Sequence, residues 1–191
     1  MNPQTTRQIE IIQPMFTESS ARESIEKKQN AVLLRKKIQW HSSVPLYIPF
    51  WLVDVEMDLK APGKGVIQKT YPILVNAITN RGMLVRGELK TKTIQTRAIF
   101  MDQEISATEA KETARFEALT NTRRMIRPPA HRVLPGERLI WYPLALVELT
   151  VNGKEDVQLF DYYRGGLDKM TMRFFRLKVK LEAAQGRKTA G

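Results

Sequence analysis

The spacing of apolar and polar positions predicts two amphipathic helices, at roughly 20–38 and 106–124. Each stretch opens with a serine followed three residues later by a glutamate, Ser20 with Glu23 and Ser106 with Glu109. In such a capping box the serine hydroxyl accepts the backbone N–H of the glutamate, and the glutamate reaches back to the serine N–H. Both stretches end in basic residues, as suits the negative end of a helix dipole.

Between and after these helices the pattern favours strands joined by turns. Apolar and basic residues alternate from 175 to 181, which is typical of a strand with one apolar and one basic face. Another strand is expected at about 83–100, broken near Lys90 and Thr91. Asn152-Gly153 indicates a two-residue hairpin turn. Three prolines predict a loop at 127–136.

The two halves of the chain align with each other. Leu46–Val55 (LYIPFWLVDV) matches Ile140–Leu149 (IWYPLALVEL) without a gap. Downstream, LVNAITN at 74–80 parallels LFDYYRG at 159–165. The segments end in Asn80 and Gly165, residue types that tolerate the positive φ of a tight turn. If the duplication is real, Pro49 superposes on Pro143 and Asn76 on Asp161.

The sequence therefore predicts an α+β fold of two divergent tandem repeats. Each repeat is a helix followed by an antiparallel β-meander, with the helices packed on the sheet. The expected boundaries are a flexible N-terminal arm at 1–18, a first repeat at 19–104, a second repeat at 105–182 and a basic C-terminal tail at 183–191.

Each half resembles the small PepSY-type modules, in which a helix precedes an antiparallel meander. The resemblance rests on the strand 52–59 with the turn 75–80, repeated at 146–151 and 160–165. It implies a non-catalytic binding or inhibitory module. Such modules are commonly extracytoplasmic, whereas the first twenty residues of this chain lack the pattern of a signal peptide. No functional residue is carried over from the family.

Composition narrows the chemistry further. The chain of 191 residues contains no cysteine, which excludes disulfides, thiolate nucleophiles and cysteine-ligated metals. It has no apolar run near the roughly 20 residues of a membrane span. We therefore expect a cytoplasmic protein without a membrane span.

The sequence offers little for catalysis. His41, at the end of the first predicted helix, and His131, in the predicted loop, are isolated, and no nucleophile-elbow, P-loop or dinucleotide motif is present. Asp54, Glu56 and Asp58 alternate along one strand face, where they either hold a divalent cation or form a solvated face. We predict a protein that is not an enzyme, with no catalytic residue, cofactor or metal.

Aromatic residues cluster around the repeated motifs. They either stack on exposed bases or form the core between helix and sheet. They are Tyr47, Phe50, Trp51, Trp141, Tyr142, Tyr162 and Tyr163.

The net charge is +11, from 31 basic and 20 acidic residues, which favours an anionic partner. The leading hypothesis is an interaction or assembly protein whose pseudo-symmetric basic surface binds a protein partner. The alternative is a nucleic-acid-binding protein that contacts phosphates. The candidate contacts for either role are Arg35, Lys36, Lys37, Arg123, Arg124, Arg127, Arg176, Lys178 and Lys180.

Overall fold

A computed structural model describes residues 6–30, 38–61, 65–85, 87–122, 130–169 and 171–173. These residues form two helices and a large, mainly antiparallel sheet of ten strands. The predicted combination of helices with antiparallel strands is thereby confirmed. In chain order the elements are β1 (Thr6–Ile12), α1 (Glu18–Asn30), β2 (Ile38–Ala61), β3 (Gly65–Asn76), β4 (Gly82–Leu84), β5 (Thr91–Arg97), β6 (Ile99–Phe100), α2 (Ala107–Thr122), β7 (His131–Val133), β8 (Arg138–Val151), β9 (Lys154–Asp161) and β10 (Gly166–Leu167).

Reciprocal caps begin both helices. Before α2 the predicted box is confirmed: the Ser106 N–H donates to Glu109 Oε2 over 2.8 Å, and the Glu109 N–H donates to Ser106 Oγ over 3.3 Å. The box predicted for α1 at Ser20 is wrong, because that helix begins three residues earlier. There the Thr17 N–H donates to Ser20 Oγ over 2.8 Å, and the Ser20 N–H donates to Thr17 Oγ1 over 3.3 Å. A serine hydroxyl thus takes the place of the glutamate.

The hairpin predicted at Asn152-Gly153 is confirmed. Val151 pairs with Lys154, and the two turn residues have φ values of +52° and +78°. A type I′ turn needs a positive φ at both central positions, and Asn-Gly meets this need at low cost. The break predicted within 83–100 is also present, because β4 ends at Leu84 and β5 begins at Thr91.

Two segments differ from the expectation. Residues 6–12 were expected in a flexible arm, but they form β1, in which Ile9, Ile11 and Ile12 are buried. Burial of these apolar side chains stabilises the paired strand by more than the conformational entropy that an unpaired arm would keep. Within the predicted loop 127–136, His131–Val133 forms β7 and pairs with β2. These three residues lie between the prolines and keep their N–H groups. The predicted strand at 175–181 and the tail at 183–191 lie outside the described residues.

The chain divides into two compact units. The first unit comprises Met1–Gln13 and Tyr47–Tyr142, and the second comprises Pro14–Leu46 and Pro143–Gly191. The long strands β2 and β8 each contribute residues to both.

In the first unit, α2 places three alanines against the sheet. Ala110, Ala114 and Ala118 recur every four residues, so they share one helix face, and all are fully buried with Val53 and Val75. Side chains this small let the helix backbone lie close to the strands. A second cluster in this unit is formed around β1 by Ile9, Ile11, Tyr47, Ala98 and Phe100.

In the second unit, α1 packs on strands β8 and β9. Ala21 and Ile25 share a cluster with Val147 of β8 and Phe160 of β9. The Phe160 ring has edge contacts with three other aromatic rings, at centroid distances of 6.3, 6.0 and 5.5 Å. Trp40, at the start of β2, is one of those three.

The main strand contacts of each helix therefore come from the other half of the sequence. α1 packs on β8 and β9 and also contacts Trp40 at the start of β2, while α2 packs on β2 and β3 and also contacts Val133 of β7. The packing units thus combine a helix from one half with strands from the other. The repeat boundaries expected at 19–104 and 105–182 are boundaries in the sequence, and they stay predictions.

Candidate functional site

An Asx turn follows β3 in the first unit. The side-chain oxygen of Asn76 accepts the backbone N–H groups of Ile78 and Thr79, at 2.9 and 3.0 Å. The Asn80 N–H then donates to the Asn76 carbonyl over 3.0 Å, and Asn80 has a φ of +52°. A short side chain that mimics a backbone acceptor thus closes the turn.

The same bonds close the turn that follows β9 in the second unit. Asp161 Oδ1 accepts the N–H groups of Tyr163 and Arg164, both at 2.8 Å. The Gly165 N–H donates to the Asp161 carbonyl over 2.9 Å, and Gly165 has a φ of +73°. Both positive-φ positions predicted from the sequence are confirmed.

Each turn is also bonded to a proline-bearing strand. The Ala77 N–H donates to the Pro49 carbonyl over 3.0 Å, and the Tyr162 N–H donates to the Pro143 carbonyl over 3.2 Å. The residue that supplies this N–H comes directly after the Asx residue in both units.

The carbonyls of Ala77 and Tyr162 in turn hold the start of a helix. Ala77 O accepts two N–H groups from 104–105, just before the cap of α2, at 2.8 and 2.9 Å. Tyr162 O accepts two N–H groups from 15–16, just before the cap of α1, both at 3.0 Å. Proline strand, Asx turn and helix start are therefore joined by one hydrogen-bond pattern in each unit.

None of the nine basic residues singled out from the sequence falls within the described residues. Three are in 31–37, directly after the last residue of α1, three are in 123–129, directly after the last residue of α2, and three are in 174–191. The structure therefore does not bring them together or separate them. They are Arg35, Lys36, Lys37, Arg123, Arg124, Arg127, Arg176, Lys178 and Lys180.

The described residues carry almost no net charge. They include 18 of the 31 basic residues and 19 of the 20 acidic ones, a balance of −1. The remaining segments hold 13 basic residues and one acidic residue, and 11 of the 13 fall in 31–37, 123–129 and 174–191. The positive charge of the protein is thus concentrated in three short stretches.

Several cations of the described framework are already paired. Lys111 Nζ lies 2.7 Å from Glu137 Oε1, and its hydrogen bond lowers the pKa of that carboxyl. Arg132 binds Glu56 at 2.9 Å across the β2–β7 pair. Glu10 accepts a hydrogen bond from Arg138 at 2.8 Å. Within each of these three surface pairs the two charges neutralise each other.

The aromatic residues belong mainly to the cores. Tyr47 and Tyr142 are buried. Tyr47 stacks on Phe100 at 5.7 Å, and burial raises the pKa of the Tyr47 hydroxyl. The Trp51 indole N–H donates to the Ile105 carbonyl over 2.8 Å. This arrangement matches the core interpretation rather than an open platform for base stacking.

The histidines lie in strands, contrary to the helix end and loop positions expected. His41 is in β2, with Nε2 2.6 Å from Thr150 Oγ1, and His131 begins β7. On the acidic face of β2, Glu56 is bound to Arg132. Among the residues that the structure describes, no group of three His, Asp or Glu side chains is placed to hold a metal ion.

An open groove of about 510 Å³ lies in the second unit, where α1 begins beside the start of β2. The hydroxyls around it serve the fold. Thr17 and Ser20 cap the helix, and Ser43 Oγ donates to Glu18 Oε1 over 2.6 Å. The groove is lined by Thr17, Glu18, Ser19, Arg22, Trp40 and His41.

Within the described part of the chain, neither helix is long and apolar enough to cross a membrane. Comparison of the chain with family models, with curated proteins and with solved structures finds no match.

Proposed function

We propose that the protein is a non-enzymatic interaction or assembly protein that binds an acidic protein partner through three basic segments. These segments are residues 31–37, 123–129 and 174–191. The observation that supports this proposal is the separation of charge along the chain. A framework with a net charge of −1 carries segments that hold 11 of the other 13 basic residues. Charge that was needed only for solubility would not have to be concentrated in this way.

The two helix-following segments are a matched pair. The connections from α1 to β2 and from α2 to β7 are seven and eight residues long, and each carries three basic residues. In this proposal they form the pseudo-symmetric basic surface. The C-terminal residues Arg176, Lys178 and Lys180 add to it.

The proposal includes an internal duplication. Two divergent tandem copies, each a helix followed by a β-meander, account for the repeated pattern of proline strand, Asx turn and helix start. The copies would have exchanged their helices, so that each packing unit is built from both. The resemblance to PepSY-type modules supports a binding role without catalysis. A cytoplasmic location remains part of the proposal.

The alternative function is nucleic-acid binding through the same cations. It predicts that binding weakens steeply with salt, because each neutralised phosphate releases a counterion. The burial of Tyr47 and Tyr142 favours the protein-partner proposal, since base-stacking residues need exposed rings.

The test compares purified wild-type protein with a variant in which Arg35, Lys36, Lys37, Arg123 and Arg124 are changed to glutamine. A protein partner recovered from native lysate at fixed stoichiometry in about 0.15 M salt should be lost with the variant. The matched control neutralises five framework cations, Lys69, Arg81, Arg115, Lys154 and Lys169, and it should keep the partner.

The same proteins are then titrated with labelled single- and double-stranded DNA and RNA across a salt series. Little binding at physiological salt is expected. Tight binding with a steep salt dependence, lost in the first variant and kept in the control, would overturn the protein-partner proposal in favour of the alternative. A partner retained equally by both variants would refute the role of the basic segments.

A further inference from the structure

Strand β5 lies at an open edge of the sheet. All seven of its residues pair with β1, from Thr91 opposite Ile12 to Arg97 opposite Thr6, without a bulge. Among the described residues, no other strand pairs with β5. The strand contains no proline and its pairing is not interrupted by a bulge, so it lacks two of the devices that usually protect sheet edges.

One hydrogen bond shows which backbone groups face outward. The Gln13 N–H donates to the Lys90 carbonyl over 2.9 Å, so these two residues form a hydrogen-bonded pair of the β1–β5 ladder. Hydrogen-bonded and non-bonded pairs alternate in an antiparallel ladder. Lys92, Ile94 and Thr96 therefore bond to β1, while the N–H and C=O groups of the other four residues point to the open edge. Those four are Thr91, Thr93, Gln95 and Arg97.

The side chains along this edge are basic or neutral. Lys92 and Arg97 are exposed, and neither forms an ion pair with a described carboxylate. The nearby carboxylate of Glu10 already accepts hydrogen bonds from Thr91 Oγ1 at 2.6 Å and from Arg138 at 2.8 Å. The edge therefore presents two uncompensated cations beside free backbone donors and acceptors.

We propose that the outer edge of β5 binds an extended acidic segment of a partner protein by β-strand addition. The backbone groups supply the ladder, and carboxylates opposite Lys92 and Arg97 supply the selectivity. Since these two cations are five residues apart on the strand, the matching segment carries two carboxylates with the same spacing. A second copy of this chain fits poorly, because β5 has no acidic residue and self-pairing would bring cations together.

This surface is made of residues other than the three basic segments, so it can be tested separately from them. The probe is a capped, fluorescent peptide of about eight residues, rich in threonine and valine, with two glutamates five residues apart. It is titrated into the full-length chain by fluorescence anisotropy, and a peptide with lysines at those positions serves as its control. We expect saturable binding of the glutamate peptide alone, with amide-exchange protection of Thr93 and Gln95.

Two variants test the mechanism. Thr93→Pro removes an outward N–H without touching the β1 ladder and should weaken binding about tenfold or more, whereas Thr93→Val keeps the N–H and should bind like wild type. The charge reversal Lys92→Glu with Arg97→Glu should transfer binding to the lysine peptide. This second variant also decides the outcome if the proline variant does not fold.

Three results would overturn the proposal. The first is no difference between the two peptides, and the second is binding that survives both Thr93→Pro and the charge reversal. The third is protection of the Thr93 and Gln95 amides before peptide is added, including protection by self-association seen in sedimentation. Loss of the partner in the basic-segment variant leaves peptide binding unaffected, so failure of one proposal is distinguishable from failure of the other.

Discussion

The packing of α2 on β2 and β3, and of α1 on β8 and β9, predicts which buried residues are energetically coupled. Val75 of β3 and Ala114 of α2 are fully buried in the same cluster, whereas Val147 of β8 is fully buried in the cluster of α1. Val75→Ala removes two methyl groups, which costs about 1.6 kcal/mol at about 0.8 kcal/mol per group before any cavity term. Ala114→Val adds two methyl groups to a packed site and costs about 1–3 kcal/mol.

In the double variant, the added valine occupies space that the lost one vacated. The cycle of Val75→Ala with Ala114→Val should therefore give a favourable coupling of about 0.5–3 kcal/mol. The cycle of Val147→Ala with Ala114→Val should be additive to within about 0.5 kcal/mol. The free energy of unfolding is measured by urea denaturation, with coincident circular dichroism and tryptophan fluorescence transitions and equal m-values as the criterion for comparison. The opposite result, coupling to Val147 and additivity with Val75, would mean that α2 packs on β8 and β9. It would refute the packing of α2 on β2 and β3.

Three further predictions concern the cap, the aromatic core and the turns. Ser106→Ala should cost about 1 kcal/mol of unfolding free energy and reduce helicity. Hydrogen bonds from Ser106 lower the pKa of Glu109 in the folded state, so its contribution to stability is present above the unfolded pKa and lost as pH falls through the folded pKa. A Glu109→Gln variant with unchanged acid dependence would contradict that assignment. Phe160→Ala should cost about 3–5 kcal/mol in urea denaturation followed by tryptophan fluorescence, and a loss below about 1 kcal/mol would show that the ring is not a core element. Asn76→Ala leaves two N–H groups without their acceptor and should cost about 1–3 kcal/mol, whereas Asn76→Asp keeps the side-chain oxygen and should be tolerated, as measured by thermal and urea unfolding. Equal losses in the two variants would argue against the Asx turn.

Features set by a few neighbouring residues were predictable from the sequence. The Asn152-Gly153 turn, the Ser106–Glu109 box and the positive φ at Asn80 and Gly165 each depend on residues within four positions of one another. Their side chains or missing Cβ atoms decide the backbone conformation without reference to the rest of the fold. The cap at Thr17 follows the same logic, but its serine partner is a weaker signal than a glutamate. The sequence alone therefore favours Ser20 with Glu23.

Pairings between distant segments were not predictable in this way. Strand β1 pairs with β5, which begins more than eighty residues after β1 begins. Nothing local to Ile9 or Ile11 specifies Ile94 as a neighbour. The apolar alternation of β1 spans too few residues to distinguish a sheet strand from a loosely attached arm. The open edge of β5 could not be predicted from the sequence either, because an edge is defined by the absence of a second strand partner.

The choice of helix partner follows from the length of β2. The apolar pattern of a helix does not by itself specify which strands it packs on. The length of the chain between α1 and β2 restricts the choice. Val53, the first buried β2 residue of the cluster that contains α2, comes 15 residues after Ile38, about 50 Å along an extended strand at about 3.3 Å per residue. The seven residues that join α1 to Ile38 span at most about 28 Å. With β2 extended through 24 residues, α1 is held near the beginning of that strand, where Trp40 already belongs to the second core. The packing of α1 on β8 and β9 is therefore a consequence of one long strand, which is hard to predict from the sequence because Pro45 and Pro49 lie within it.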